Sequence, residues 1–319
     1  MNGLVILSAL AASASARTFT VTNACPYTIW PAGLQMFTDM RISKSAPSQP
    51  TGWQADPNTT VSFTVPDDWK AGRIWGRSNC SFSVNPGPTS CATGGCNGGL
   101  LCDATTGTGV PPVSVAEWTL QGDQNQDFYD VSLVDGSNIP MRIDNTVGCP
   151  VADCLIDLNP NCPDPLKGPL DSKGVPLGCK SACFANLDGN QANSPNCCSG
   201  QFDKPQTCPN SGVAFYSYFK GNCPNAYAYA FDESSKTALW TCDSGKKADY
   251  TLTFCPSNTT TAMRSTNSSI SHATASSSPS KSVGNPTIVN TMIQHGTSSV
   301  MVLVALFTGV VLLLAPWTS

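Results

Sequence analysis

Histidine is nearly absent from this chain, and its absence restricts the chemistry that the chain can perform. The two histidines, His272 and His295, both lie beyond the last cysteine, Cys255. A Ser-His-Asp triad, a Cys-His dyad and a His-ligated metal site all require imidazole within the folded region. These sites are excluded from the cysteine-containing region, where no glycine-rich phosphate loop follows a predicted strand either. Carboxyl groups remain the candidates for acid–base chemistry, and we expect no cofactor.

Charged residues are also scarce, at 12% of the chain with a net charge of −4. A protein that binds nucleic acid usually carries a concentrated basic surface, so nucleic acid is excluded as a partner. We expect a monomer whose fold does not depend on ion pairs.

Cysteine is abundant, but only in one part of the chain. All 16 cysteines lie between Cys25 and Cys255. An even number of cysteines in a region rich in glycine and proline predicts eight disulfides that form in an oxidising compartment. Each disulfide would stabilise the fold by about 2–4 kcal/mol, and we therefore predict a secreted protein.

The first residues have the pattern of a signal peptide. An apolar stretch from Leu4 to Ala12 precedes Ala14-Ser15-Ala16, which places small residues before a cleavage site. The pattern predicts that residues 1–16 are removed and that the mature chain starts at Arg17. A buried N-terminal strand is the alternative, because the segment lacks the usual basic residue at its start.

Residues 17–256 show the pattern of an all-β domain. Short runs in which apolar and polar residues alternate predict half-buried antiparallel strands. The clearest runs contain Phe19 and Val21; Val61, Phe63 and Val65; and Tyr250, Leu252 and Phe254. Alternation fades at residues 149–223, where closely spaced Cys, Pro and Gly predict a disulfide-rich subdomain with at most short helices.

The composition changes after the last cysteine. The first part of residues 257–299 is dominated by serine and threonine. This composition predicts that residues 257–299 form a disordered, O-glycosylated stalk. Residues 300–319 form a hydrophobic tail with an uncharged run from Val300 to Pro316. A membrane-spanning helix needs about 20 residues and usually a flanking Lys or Arg. Only Trp317-Thr318-Ser319 follows, so a GPI-anchor signal is the favoured interpretation.

Four sequons predict N-glycosylation of a secreted chain. Their asparagines are Asn58, Asn79, Asn258 and Asn267. With the GPI signal, they predict a glycoprotein on the outer face of the plasma membrane or in the cell wall, with the membrane as a partner through the GPI lipid.

Six short segments of the cysteine-containing region carry recognisable motifs. They are Phe19–Pro31, Gly72–Cys80, Asp127–Gly136, Cys179–Cys183, Asn196–Cys198 and Thr253–Pro256. In this order, and with sixteen cysteines, they resemble the thaumatin-like protein family across the whole of residues 17–256. The resemblance implies a flattened two-sheet β-sandwich that carries smaller disulfide-rich subdomains, with a cleft beside the larger of them.

The resemblance also implies a disulfide pairing, which spacing alone does not determine. The implied pairs are Cys25–Cys255, Cys80–Cys91, Cys96–Cys102, Cys149–Cys242, Cys154–Cys223, Cys162–Cys179, Cys183–Cys197 and Cys198–Cys208.

An acidic cleft with five charged residues is a further implication of the resemblance. The matching positions are Arg77, Glu117, Asp130, Asp135 and Asp232. We assign Glu117 as the general acid and Asp135 as the base, or alternatively the nucleophile, of glycoside hydrolysis. Arg77, Asp130 and Asp232 would bind the substrate. Tyr129, or alternatively Phe128 or Tyr229, would stack on sugar rings, with core packing as the competing use of each.

A purely structural interpretation of these residues stays open. Asp135-Gly136 is a common turn pair, and Glu117 and Asp130 suit solvated strand positions. Period-2 counting places Asp130 and Asp135 on opposite faces unless the strand ends or bulges between them.

Three functions follow from the resemblance. The first is binding and hydrolysis of β-1,3-glucan in cell-wall remodelling or defence, which would make the protein an endo-β-1,3-glucanase. The second is a non-catalytic glucan-binding, wall-structural or antifungal role for the same cleft. The third, action on a protein target, is less favoured because the acidic set is complete and a tether is predicted.

Overall fold

The computed structural model describes residues 16–35, 46–83, 86–104, 106 and 109–257. The predicted tail lies outside the described residues. So do the predicted stalk, apart from its first residue, Ser257, and the signal segment, apart from its last residue, Ala16. None of the described helices is long and apolar enough to cross a membrane.

Two five-stranded β-sheets form the described domain. In the first sheet the strand order is β3-β1-β10-β7-β8, and in the second it is β2-β4-β5-β6-β9. The strands are β1 (Ala16–Asn23), β2 (Trp30–Gln35), β3 (Thr59–Pro66), β4 (Gly72–Arg77), β5 (Val115–Thr119), β6 (Gln126–Ser132), β7 (Met141–Asn145), β8 (Ala152–Cys154), β9 (Trp240–Asp243) and β10 (Tyr250–Phe254). Only the β1–β10 pair is parallel among the pairs of these strands.

The two sheets pack face to face around an aromatic core. Along β1 the alternating pattern buries Phe19 and Val21 and leaves the intervening threonines partly or fully exposed. The ring of Phe19, on the first sheet, meets the ring of Trp118 on β5 of the second sheet, with centroids 5.1 Å apart. Side chains of a strand alternate between the two faces of its sheet, so the neighbours of Trp118 on β5 point away from this core. The predicted two-sheet, all-β architecture is confirmed.

The segment between Cys149 and Cys223 contains little regular structure. It includes β8, turns of 3-10 helix and α1 (Tyr216–Asn222), which is the single α-helix of the described residues. Disulfides attach this segment to the sandwich, since Cys149 pairs with Cys242 on β9 and Cys154 on β8 pairs with Cys223.

All eight implied disulfides are confirmed, and none of the cysteines is free. The Cys25–Cys255 pair spans 230 positions and connects the two ends of the domain. This density of crosslinks is typical of secreted proteins, because disulfides persist in oxidising compartments.

A buried ion-pair network corrects the expectation that the fold does not depend on charge. Arg17 is 1% exposed, and its guanidinium lies 2.7 Å from Asp67 and 2.8 Å from Asp127. Asp127 also accepts a hydrogen bond of 2.9 Å from the Tyr250 hydroxyl. The network joins β1, β6 and β10, so it connects the two sheets. A low overall charge content does not reveal how deeply a particular pair is buried.

Replacing Arg17 with Met is expected to destabilise the protein. The substitution leaves the buried Asp127 carboxylate without its cation, and removing one partner of a buried pair costs about 3–5 kcal/mol. Guanidinium unfolding with the disulfides intact measures the change. Lys167→Met, at the exposed pair with Asp164, is the control and should leave the midpoint unchanged. An unfolding midpoint for Arg17→Met equal to that of the wild type would contradict this prediction.

Candidate functional site

Three charged residues form a row across neighbouring strands of the second sheet. Arg73 on β4 pairs in register with Glu117 on β5, which in turn pairs with Asp130 on β6. Directly opposed residues on adjacent antiparallel strands share one face, with their Cβ atoms about 4.5–5.5 Å apart. Trp118 occupies the core face of β5, so the row lies on the opposite face, outside the sandwich core.

Arg73 connects two carboxylates through one guanidinium. Its Nε lies 2.9 Å from Glu117 Oε1, and its Nη2 lies 3.1 Å from Asp135 Oδ2. The side chains of Arg73 and Glu117 are 13% and 15% exposed, whereas that of Asp135 is 35% exposed. The two residues proposed as acid and base therefore meet at one partly open site.

A turn after β6 brings Asp135 to this face. The strand ends at Ser132, and the Gly136 N–H donates to the Leu133 carbonyl across 2.9 Å. Gly136 has a φ of +86°. A Cβ added there would lie 2.5 Å from the Cys179 carbonyl oxygen, so glycine is needed both for the turn and for its packing. The end of the strand resolves the conflict between Asp130 and Asp135 in the sequence pattern.

Burial sets the ionisation of Glu117 and Asp130. Burial raises the pKa of Glu117, with a further increase from the Asp135 charge and an opposing effect from Arg73. Burial, followed by the Glu117 charge, raises the pKa of Asp130 well above its ordinary value, and Arg73 only partly offsets this. Asp130 Oδ2 is buried and has no hydrogen-bond partner. This side of the site therefore favours protonated carboxyl groups.

Tyr227 and Glu233 complete the site on the side of Asp130. Tyr227 forms a parallel bridge with Ser132 of β6, and its hydroxyl donates to Glu233 Oε1 across 3.2 Å. This hydrogen bond holds Glu233 on the side of the site where Tyr227 pairs with β6. Burial raises the pKa of Asp130 most, and the charges of Glu117 and Glu233 raise it further. We call Glu117, Asp130, Asp135 and Glu233 the acidic cluster.

The placement predicted for Arg77 is wrong, and Arg73 takes its position. Arg77 is 0% exposed, and its guanidinium donates to backbone carbonyls, among them those of Trp30 at 2.8 Å and Gly99 at 2.6 Å. Burial lowers the pKa of Arg77 to about 10. Arg73 and Arg77 share one face of β4 because they are four residues apart. The loop closed by Cys96–Cys102 packs over Arg77, and Arg73 lies beyond that loop.

Asp232 also lies outside the acidic cluster. Its side chain is 0% exposed, lies 2.9 Å from the Lys220 ammonium and accepts from the Tyr216 hydroxyl at 2.9 Å. These contacts hold the segment that presents the next residue, Glu233. In the sequence, Glu233 directly follows Asp232, and the second of these two acidic residues is the one that reaches the site.

Tyr129 belongs to the core rather than to a sugar-binding surface. It is 0% exposed, and its ring contacts the ring of Tyr250 with centroids 5.3 Å apart. Its hydroxyl donates to the Pro150 carbonyl. Because Tyr129 precedes Asp130 on β6, it points to the opposite face of the sheet, which corrects the predicted stacking role.

The family is shown by comparison with known proteins. Residues 23–256 match the model of the Thaumatin family. The chain belongs to the thaumatin family. Pathogenesis-related thaumatin-like protein 3.5 of Cryptomeria japonica is 43% identical over 249 residues, which cover 77% of this chain and 92% of that protein. Pathogenesis-related protein 5 of Arabidopsis thaliana is 42% identical over 245 residues, covering 76% and 91% of the two chains.

A solved structure of a glycoside hydrolase family 64 laminaripentaose-producing β-1,3-glucanase from Paenibacillus barengoltzii is also similar to this thaumatin-family chain. The similarity covers 76% of this chain and 75% of the glucanase, with 10% identity and a TM-score of 0.46. This degree of likeness carries no conclusion about activity.

The thaumatin-family domain exposes two of the four predicted glycosylation sites. Asn58 and Asn79 are both exposed, whereas Asn258 and Asn267 lie outside the described residues. Within the described ranges, no group of three or more His, Cys, Asp or Glu side chains is arranged to hold a metal ion.

Replacing Arg73 with Gln should raise the pKa of Glu117 further, because the cation that favours its ionised form is lost. Carbon-13 NMR titration of labelled carboxyl groups measures this change. Arg77→Gln is the matched variant: it should destabilise the domain by about 1–3 kcal/mol, since buried carbonyls lose their donors, and leave the Glu117 titration unchanged. A Glu117 midpoint that responds to Arg77→Gln but not to Arg73→Gln would contradict the assignment of the two arginines.

Proposed function

We propose that this thaumatin-family protein binds and hydrolyses β-1,3-glucan at the acidic cluster, in cell-wall remodelling or defence. The observation that carries the proposal is the meeting of Glu117 and Asp135 on the guanidinium of Arg73, at a partly exposed face. The pathogenesis-related names of the similar plant proteins support a role in defence.

Hydrolysis of a glycosidic bond needs two carboxyl groups in different environments. One must hold a proton for the leaving oxygen, and the other must act as a base or nucleophile. Burial raises the pKa of Glu117, which suits the acid. Asp135 is more exposed, at 35%, so it has better access to a water molecule.

The proposed step balances without a further reactant. Glu117 transfers its proton to the glycosidic oxygen as the bond from that oxygen to the anomeric carbon breaks. Asp135 accepts a proton from the water molecule whose oxygen bonds to that carbon. Direct attack by Asp135 is the alternative, in which a covalent glycosyl-enzyme forms first and is then hydrolysed.

The remaining charged groups suit the binding of sugar hydroxyls. Arg73 supplies donors, and Glu233 supplies an acceptor beside Asp130. Carboxyl and guanidinium groups form stronger hydrogen bonds to hydroxyls than neutral groups do. Arg77, Asp232 and Tyr129, which are buried, have no part in this proposal.

Replacing Glu117 with Gln should lower the release of reducing ends from laminarin by about 10²–10⁴-fold, because the amide cannot donate the catalytic proton. A reducing-sugar assay on wild type and variant measures the loss. Asp164→Asn, a change at an exposed carboxylate paired with Lys167, is the matched control and should retain full activity.

The same assay distinguishes the two glucan functions. Unchanged release in the Glu117 variant would contradict the assignment of the acid. A wild-type protein that releases nothing but co-sediments with insoluble β-1,3-glucan would instead be a non-catalytic binding protein, with a wall-structural or antifungal role.

We also propose that a GPI lipid attaches the protein to the outer face of the plasma membrane. The support is the sequence alone: an uncharged hydrophobic run, Val300–Pro316, follows a segment rich in serine and threonine. The tether would keep glucan hydrolysis close to the wall of the producing cell.

Phosphatidylinositol-specific phospholipase should release the protein from membranes of the cells that produce it, because the enzyme cleaves the lipid anchor. Partition between the membrane and soluble fractions measures release, and mass spectrometry should find no peptide from Val300–Pro316. A chain that ends at residue 299 is the control and should be secreted without treatment. A protein that stays in the membrane with its tail peptide intact would contradict the anchor.

A further inference from the structure

Tyr227 occupies a defined position beside the acidic cluster. Its N–H donates to the Val131 carbonyl, and its carbonyl accepts from the Leu133 N–H, both across 2.9 Å. This pairing brackets Ser132. Paired residues of adjacent strands point to the same face, as do residues i and i+2 of one strand. The phenol therefore lies on the face that carries Asp130, on the side away from Glu117.

The hydroxyl of Tyr227 is directed to Glu233. It donates to Glu233 Oε1 across 3.2 Å, and the ring is 9% exposed. Burial raises the pKa of Tyr227, and the hydrogen bond to Glu233 and the nearby carboxyl groups raise it further, so this hydroxyl stays protonated and remains a donor. Tyr227 thus connects Glu233 to the edge of β6 beside Asp130.

Asp130 is the carboxyl group that this arrangement isolates. It is 8% exposed, and its Oδ2 has no hydrogen-bond partner. Arg73, the cation of the row, donates from its Nη2 to Asp135 Oδ2, and its Nε lies 2.9 Å from Glu117 Oε1. A buried carboxylate without donors is costly, whereas a neutral carboxylic acid is much less so.

We propose that Tyr227 is a positioning residue that keeps Asp130 as a neutral carboxylic acid. The ring excludes water from the outer side of Asp130, and the hydroxyl holds the Glu233 carboxylate on that same side. Glu117, on β5, flanks Asp130 on the side opposite Tyr227, and Arg73, on β4, lies one strand further along the row. Asp130 is thereby enclosed between two acidic groups.

The electrostatics of these four neighbours support the proposal. Burial has the largest effect on the pKa of Asp130, and Glu117 and Glu233 raise it further. Arg73 alone among them opposes the increase. Burial raises the pKa of Glu233, and the hydrogen bond from Tyr227 opposes this increase.

A neutral Asp130 changes what the acidic cluster recognises. It removes one negative charge from the cluster, so that Glu233 is the acceptor for a sugar hydroxyl on this side of the site. This consequence rests on the proposed glucan function, but the protonation of Asp130 does not.

Carbon-13 NMR titration of the full secreted chain, labelled at its Asp and Glu carboxyl groups, tests the proposal without glucan. Asp130→Asn identifies the Asp130 resonance by its disappearance. In the wild type, Asp130 should titrate well above the ordinary value of about 3.9. In Tyr227→Ala, water reaches Asp130, and its midpoint should fall by at least about one pH unit.

Two further variants separate the ring from the hydroxyl. Tyr227→Phe keeps the ring, so Asp130 should retain a raised midpoint while that of Glu233 rises, because its carboxylate loses a donor. Tyr218→Phe removes a tyrosine hydroxyl that donates to the Leu158 carbonyl elsewhere, and it should change neither midpoint. If Tyr227→Ala does not accumulate as folded protein, Glu233→Gln replaces it and should lower the Asp130 midpoint by removing a like charge.

The outcomes separate this proposal from the glucan proposal. An Asp130 midpoint in the ordinary range in the wild type overturns it, and so does a raised midpoint that Tyr227→Ala leaves unchanged. A raised midpoint that falls in Tyr227→Ala supports it, even for a protein that neither binds nor cleaves laminarin. In that case only the glucan function fails.

Discussion

The burial of several carboxyl groups beside a single cation, Arg73, is the constraint on which the proposed chemistry of this protein depends. The acidic cluster brings four carboxyl groups to one side of the second sheet, and Arg73 is the cation that Glu117, Asp130 and Asp135 share. Arg73 pairs directly with Glu117 and Asp135, so these two carboxyls are stabilised as a connected set. The charge of Arg73 only partly offsets the effect of burial on the pKa of Asp130. The carboxyl groups therefore differ in proton affinity although they are chemically alike.

Disulfides hold the loops that create this arrangement. The turn that carries Asp135 packs against Cys179, which is bonded to Cys162. The loop closed by Cys96–Cys102 covers Arg77 and leaves Arg73 beside the open part of the site. The strands supply a rigid row of charges, and the crosslinked loops determine which members of that row meet solvent. A soluble ligand encounters only the residues that the loops leave uncovered.

Much of the site could be predicted from motifs, and the errors in that prediction have one physical origin. Glu117, Asp130 and Asp135 were placed in a common site, and they do converge. Arg77 was chosen instead of Arg73, and Asp232 instead of Glu233. Arg73 and Arg77 lie on the same face of the same strand, so the alternation of side chains cannot show which of them reaches the site. Asp232 and Glu233 are adjacent in a short helical turn, where the direction of each side chain depends on packing against Lys220 and Tyr227.

The sequence by itself determined the class of fold, the crosslinking and the family. Alternating apolar residues specify strands locally. The order and spacing of the sixteen cysteines can be read directly from the sequence, and they distinguish the family. Only the tertiary structure decided which charged side chains are exposed, which are buried, and which share a cation. Those properties depend on contacts between residues far apart in the chain, such as Arg17 with Asp127 and Arg73 with Asp135. Burial and electrostatics act through distance in space, and local sequence patterns do not contain that distance.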